Sequence, residues 1–142
     1  MGRVTLRGEV LAPGSATGIA LLLAEPLSLW GGLDPATGAI VDLHHPQRGT
    51  SVRGRVLVMP AARGSSSSAS VLAEAVRAGT APAAIVLGEP DLILAVGATV
   101  AAELYGVAVP IVVLPPADLA RLPEGRPVTV EATDGTAHVT AG

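Results

Sequence analysis

Between a strand-like run, Arg55-Val56-Leu57-Val58, and an amphipathic run from Val71 to Ala78, the chain places Arg63-Gly64-Ser65-Ser66-Ser67-Ser68. Apolar residues at Val71, Leu72, Ala75 and Val76 have helical spacing, so a glycine and four hydroxyls sit where a strand turns into a helix. The first N–H groups of a helix lack intrahelical partners and its dipole is positive there, so such a junction favours an anion. Arg63 adds a guanidinium beside those groups, a pairing suited to a carboxylate or a phosphate. The same chemistry would let one hydroxyl act as a base if its alkoxide were stabilised by the dipole, by N–H groups and by a cation in a closed site. One small chain without cofactor ligands does not supply all three, so a partner is implied. Four serines in a row also suit a flexible linker. A linker, however, has no reason to be threaded between two buried elements.

Other constellations read as structural. His44 and His45 are adjacent in extended chain and point to opposite sides, so they do not converge on one metal ion, and no third ligand sits at a matching spacing. Polar residues fixing a loop are the preferred reading. Asp34 and Asp42 lie in turn-rich sequence, where such carboxylates accept local backbone N–H groups. The serine run lacks the second glycine of a Gly-x-Ser-x-Gly elbow, and His138 is the only histidine after it. A Walker P-loop needs a lysine, and the chain has none.

The elements that must position the turn follow from periodicity and punctuation. Val4 to Leu11 reads as a strand closed by Ala12-Pro13-Gly14, and Ile19 to Leu23 as a short buried strand. Leu29 to Gly38 is a structured loop carrying Trp30, which is expected at the mouth of the site or at a partner interface, and Ile40-Val41 begins a short strand. Gly54 to Met59 is the strand that feeds the serine turn, and Gly79 stops the helix that follows. Ala83 to Leu87 is a strand. Asp91 caps a second helix that Leu92, Ile93, Val96, Val100 and Leu104 line on one side, and Gly106 ends it. Pro110 to Leu114 completes a strand–helix–strand–helix–strand series, the pattern of parallel crossovers. Asp118 to Leu122 is at best one helical turn. Val128 to Ala132 and Ala137 to Thr140 form a hairpin about Asp134-Gly135. The middle is α/β and both ends are β-rich.

With 142 residues the chain is expected to be one domain, residues 1–142. Its apolar content is aliphatic, with one Trp, one Tyr and no Phe, so the core must be close-packed from small side chains. Nine scattered arginines and a net charge of −3 leave no electrostatic footprint for nucleic acid, and no aromatic platform stacks bases. Zero cysteines exclude disulfides, thiolate catalysis and any iron–sulfur or zinc site held by this chain's own thiolates. Met1 to Arg7 carries no apolar signal core, and no apolar run is long enough for a bilayer, so a soluble cytoplasmic protein is expected, with no membrane partner.

Trp30-Gly31-Gly32-Leu33-Asp34, Thr37-Gly38-Ala39-Ile40, His45-Pro46, Gly54 to Pro60 and Arg63-Gly64-Ser65-Ser66-Ser67 together resemble the small subunit of the aconitase X family. Ala78 to Ile85 and Glu103-Leu104-Tyr105-Gly106 extend the likeness, which covers residues 3 to 115 or so. The resemblance implies an α/β fold, a swivelling β/β/α domain like the mobile domain of aconitase. It also implies docking on a large catalytic subunit that holds an iron–sulfur cluster, with no cofactor bound by this chain. By position in the turn, Ser65 takes the role of the base that removes a proton beside the carboxylate of a hydroxy acid. Gly64, Ser66 and Ser67 then contribute backbone around the substrate, while the run from Ser65 to Ser68 leaves open which hydroxyl is the base. Aconitase follows Gly-Ser-Ser with Arg-Glu, whereas this chain continues Ser67-Ser68. The arginine role after the turn is therefore not carried over, and Arg63 is its inferred substitute.

Family members of this kind resemble cis-3-hydroxy-L-proline dehydratases or phosphomevalonate dehydratases, both hydro-lyases. The lysine-free, Ala-, Gly- and Arg-rich composition is that of a GC-rich genome and favours the first. Two readings of another class compete: a non-catalytic anion-binding module and a phospho-carrier swivel domain. The second needs a histidine after its Ala-Ile-Val strand, where this chain has Gly88-Glu89-Pro90-Asp91.

Overall fold

A computed structural model describes residues 3–133 and 135–142. Its strands are β1 (Val4–Ala12), β2 (Gly14–Leu22), β3 (Val56–Met59), β4 (Ala84–Leu87), β5 (Ile111–Val113), β6 (Pro127–Thr133) and β7 (Thr136–Ala141). Its helices are α1 (Leu29–Gly32), α2 (Ser68–Ala78), α3 (Leu92–Tyr105) and α4 (Pro116–Leu119). The strands close into a barrel in the order β1-β5-β4-β3-β2-β6-β7. Within it β2, β3, β4 and β5 run parallel, while β1, β6 and β7 complete the wall with antiparallel pairings.

The period of two along each strand divides the apolar residues into two cores. Val56 and Val58 of β3, Ala84 and Val86 of β4, and Val112 of β5 point into the barrel. There they meet Val128, Val130, Ala132, Ala137 and Val139 of the closing hairpin. A barrel of seven strands is narrow, and Ala and Val fill it where a Phe would not fit. The alternate residues, Leu57 and Met59, Ile85 and Leu87, and Ile111, point outward and are covered by Leu72 and Val76 of α2 and Leu94, Ala98 and Ala101 of α3. The segment from Leu27 to Val52 wraps this second core with Leu27, Leu29, Leu33, Ile40 and Val52.

Both main helices end in left-handed glycines, Gly79 (φ 76°) and Gly106 (φ 68°), a conformation that only glycine adopts without strain. Asp91 caps α3 by accepting the Leu94 N–H at 2.9 Å.

Several sequence expectations need correction. β2 begins at Gly14, well before Ile19, because its exposed first half gains stability by pairing with β6 rather than by burying an apolar run. Helix α2 starts at Ser68 instead of Val71. The Ile40-Val41 strand is reduced to isolated bridges, Leu33 to Ile40 and Ala39 to Ser51. Of the hairpin turn at Asp134-Gly135, Asp134 lies outside the described residues, as do Met1 and Gly2.

The largest difference concerns α3. Its buried side is Leu94, Ala95, Gly97, Ala98 and Ala101, whereas Leu92, Val96, Val100 and Leu104 are exposed. The cause is the close approach of α2. A Cβ on Gly97 would stand 2.7 Å from the Ala69 carbonyl oxygen, so only small residues fit between the helices and the bulky ones are turned outward.

Candidate functional site

The serine turn leaves the C-terminal end of β3, the edge of a parallel sheet at which strand-to-helix loops gather ligands. Residue 88 closes under it: the Gly88 N–H donates to the Pro60 carbonyl at 3.1 Å, and a Cβ at that position would meet the same oxygen at 2.7 Å. Beside the turn, Leu27 bridges Ala62, and the Arg63 N–H donates to the Leu27 carbonyl at 3.3 Å.

Capping at the start of α2 is done upstream of its first residue. Ser67, immediately before the helix, makes no capping bond with its side chain. Ser65 does: its carbonyl accepts the Ser68 N–H at 3.0 Å, and its Oγ accepts the Ser67 N–H at 3.1 Å. The Ser65 oxygen, on a partly exposed residue, thus sits at the positive end of an eleven-residue helix with one N–H directed at it. Ser66 and Ser67 are exposed, as is Arg63, and among the described residues Arg63 makes no ion pair.

Trp30, expected at the mouth of the site or a partner interface, stands beside the turn, and what sequence reasoning missed is Ser28. Ser68 is buried, and its Oγ accepts the Trp30 N–H at 3.2 Å, while the Ser28 hydroxyl donates to the Trp30 carbonyl at 3.1 Å. The backbone of Trp30 is therefore held at both ends against the turn, and its indole is left 58% exposed. Gly64 lies between those two serines: a Cβ there would approach Ser68 Oγ to 3.2 Å and Ser28 Oγ to 3.3 Å. No local pattern marks Ser28, because it reaches the turn only through the fold of the intervening loop.

Arg63, Gly64, Ser65 and Ser68 line one crevice together with Asp91 and Leu94 at the start of α3, so two helix N-termini converge there. The crevice encloses about 10 Å³, room for a single water and far too little for an organic substrate.

The remaining candidates fall into structural roles. His45 is buried, its Nδ1 accepting the Gln47 N–H at 3.1 Å, so Nε2 carries the proton and donates to the Glu25 carbonyl at 3.1 Å. Asp34 accepts the Ala36 N–H and the Thr37 hydroxyl, and Asp42 accepts the His44 N–H, all local turn bonds. His138 lies in β7, opposite Arg7 and Glu131. With no cysteine, and no group of three His, Asp or Glu among the described residues placed to hold a metal ion, these residues do not fit an iron–sulfur cluster. Among the described residues no helix is long and apolar enough to cross a membrane.

Known proteins are similar to this chain in sequence and in overall fold. A family model described as the aconitase X swivel domain matches residues 5–139. A cis-3-hydroxy-L-proline dehydratase of Pseudomonas aeruginosa is 50% identical over 106 residues, which cover 75% of this chain but only 18% of that protein. A phosphomevalonate dehydratase small subunit of Methanothermobacter thermautotrophicus is 39% identical over 128 residues, covering 89% of this chain and 93% of that one. The crystal structure of Thermococcus kodakaraensis aconitase X in its holo-form superposes with a TM-score of 0.83 at 32% identity, covering 96% and 98% of the two chains.

Proposed function

This chain belongs to the aconitase X swivel-domain family, and from that premise we propose that residues 1–142 form the swivel domain of a hydro-lyase that eliminates water from a hydroxy acid, cis-3-hydroxy-L-proline. The observation that carries the catalytic part is the Ser65 hydroxyl. It stands at the start of α2 on a partly exposed residue and already accepts an N–H there. The same N–H and the helix dipole would stabilise the alkoxide that takes the proton beside the substrate carboxylate. The electron pair of the broken C–H bond then forms the double bond as the hydroxyl on the next carbon leaves as hydroxide, which takes the proton back from Ser65 and departs as water. Arg63, at the rim of the crevice, would hold the carboxylate, with the backbone of Gly64, Ser66 and Ser67 around it.

The small crevice supports a site completed by a large subunit of aconitase X type, to which we assign the iron–sulfur cluster; for the complex we propose a cytoplasmic location. The 50% identity to the hydroxyproline dehydratase favours that substrate. Phosphomevalonate is the second reading, because the chain spans nearly the whole of small subunits named for that enzyme. A phospho-carrier role is disfavoured because Gly88-Glu89-Pro90-Asp91, and no histidine, follows the Ala84–Leu87 strand where such a domain needs one.

The test is turnover of each substrate by this chain combined with its large subunit. The expected outcome is water loss from cis-3-hydroxy-L-proline by the complex, none by the chain alone, and a fall of on the order of a hundredfold or more in Ser65→Ala. Ser66→Ala and Ser67→Ala should cost less. Activity of the chain by itself would overturn the two-subunit reading. Near-normal turnover in Ser65→Ala with loss in Ser66→Ala or Ser67→Ala would move the base along the turn, and activity in all three would leave the turn a binding feature. Trp30 emission should change on assembly, since its indole stands exposed beside the turn.

A further inference from the structure

Helix α3 is apolar on every side. Of its fourteen residues only Glu103 is charged, and a helix of that composition in a soluble protein is one that is covered all round. In this chain it is covered on one side only. Leu92, Val96, Val100 and Leu104, four residues apart and so on one stripe, are 72%, 55%, 40% and 66% exposed. The stripe spans thirteen residues, a length of about 18 Å. Tyr105 at the end of the helix and Val107 just beyond it are also exposed. The neighbouring helix does not share this character, because α2 carries Glu74 and Arg77 on its outer side.

Two observations say what covers the stripe. It begins at Leu92, next to Asp91 in the wall of the serine crevice, and that crevice is too small to hold a substrate without a second surface. The same domain occurs both as 18% of a longer dehydratase and as nearly all of a protein named a small subunit, so in its relatives it is made alongside a much larger body. A body that closes the crevice from the α3 side meets the stripe at once.

We infer that the outward stripe of α3, from Leu92 to Leu104, is the apolar centre of the surface by which this chain docks on the large subunit of aconitase X type. The inference rests on the two-subunit reading above. It adds which face makes the contact and places it beside the serine turn, so that docking and closure of the site are one event.

The experiment titrates the full chain against the large subunit of the same organism. Val96→Asp/Val100→Asp puts two carboxylates in the middle of the stripe without touching the packed side of α3. It should weaken the complex by on the order of a hundredfold, about tenfold for each buried charge. Ser65→Ala and, on strand β6, where the exposed Glu131 is remote from α3, Glu131→Gln should bind as the wild type does. Because the chain has no cysteine, Val100→Cys provides a single thiol for labelling. It should react readily with a maleimide in the free chain and at least tenfold more slowly in the complex.

If the wild-type chain binds no large subunit, the two-subunit reading fails and takes this inference with it. If the wild type binds and the double variant binds equally well, or the Val100→Cys thiol stays equally reactive in the complex, only the assignment of the face is overturned. It is likewise overturned if sedimentation shows the wild type to be a dimer that the double variant dissolves while binding to the large subunit is unchanged. The stripe would then join two copies of this chain.

Discussion

Helices α2 and α3 are made in the same way and face different surroundings. Each follows a parallel strand, each ends on a left-handed glycine, and they pack on one another over the same side of the barrel. On α2 the buried residues are Leu72, Ala75 and Val76, and the outer side carries a bidentate Arg77–Glu74 pair. On α3 the buried residues are Leu94 and the small Ala95, Gly97, Ala98 and Ala101, while Leu92, Val96, Val100 and Leu104 face outward. Exposing a Leu or Val forgoes about 1.5–3 kcal/mol of burial per side chain, so the outward face of α3 holds several kcal/mol unrealised in the isolated chain. The α2 surface suits water. The α3 surface suits a partner, and the serine turn lies where the two helices begin.

That contrast can be broken most severely at the seam. Gly97→Leu would drive a side chain into the Ala69 backbone, 2.7 Å from where its Cβ would sit. It should cost about 3 kcal/mol or more in urea unfolding, the upper range for overpacking. Ala69 follows Ser68 directly, so the surviving folded fraction should also show altered Trp30 emission, through the Trp30–Ser68 bond.

At the start of α2, Ser65 both caps the helix and is the proposed base, and two variants separate the roles. Ser65→Ala should lose about 1 kcal/mol of stability along with turnover. Ser65→Asn, a good cap, should recover most of the stability and none of the turnover. Parallel recovery of both would mean that the loss of activity came from the helix end and not from the missing hydroxyl. At the start of α3, Asp91→Ala removes the acceptor of the Leu94 N–H and should also cost about 1 kcal/mol in thermal or urea unfolding.

The outward faces should give the smallest effects on the isolated chain. Val100→Asp should change its stability by less than about 0.5 kcal/mol despite its expected effect on assembly, and a larger loss would mean that the stripe already packs on something within the chain. On α2, the hydrogen bonds from Arg77, reinforced by its charge, hold the Glu74 carboxyl below the usual carboxylate range, and the same pairing raises Arg77. Glu74 therefore binds its proton less readily folded than unfolded. The contribution of the pair is present above the ordinary carboxylate pKa and is lost as the pH falls through that range. Because both groups are exposed, Glu74→Gln should shift the melting temperature hardly at all at neutral pH, and the small difference from wild type should vanish in acid.

Local rules in the sequence sufficed for the pieces that depend on neighbours along the chain. Short aliphatic runs placed β3, β4 and β5 within a residue or two, Asp91 declared itself a cap, and Gly79 and Gly106 declared themselves stops, because those signals act between near neighbours along the chain. The serine turn was legible for the same reason: a glycine and hydroxyls between a strand and a helix define their own backbone chemistry.

What only the tertiary structure decided rests on contacts between distant segments. The first half of β2 exists because β6 pairs with it across more than a hundred residues. Ser28 belongs to the site because its loop returns to clamp Trp30 beside Ser68. Periodicity found that large aliphatics line one side of α3, a side that gains most from burial, without saying where that burial takes place. The distance between α2 and α3, set where Gly97 meets Ala69, admits only small residues. A hydrophobic pattern records which residues avoid water. It does not record which surface, within the chain or outside it, takes them in.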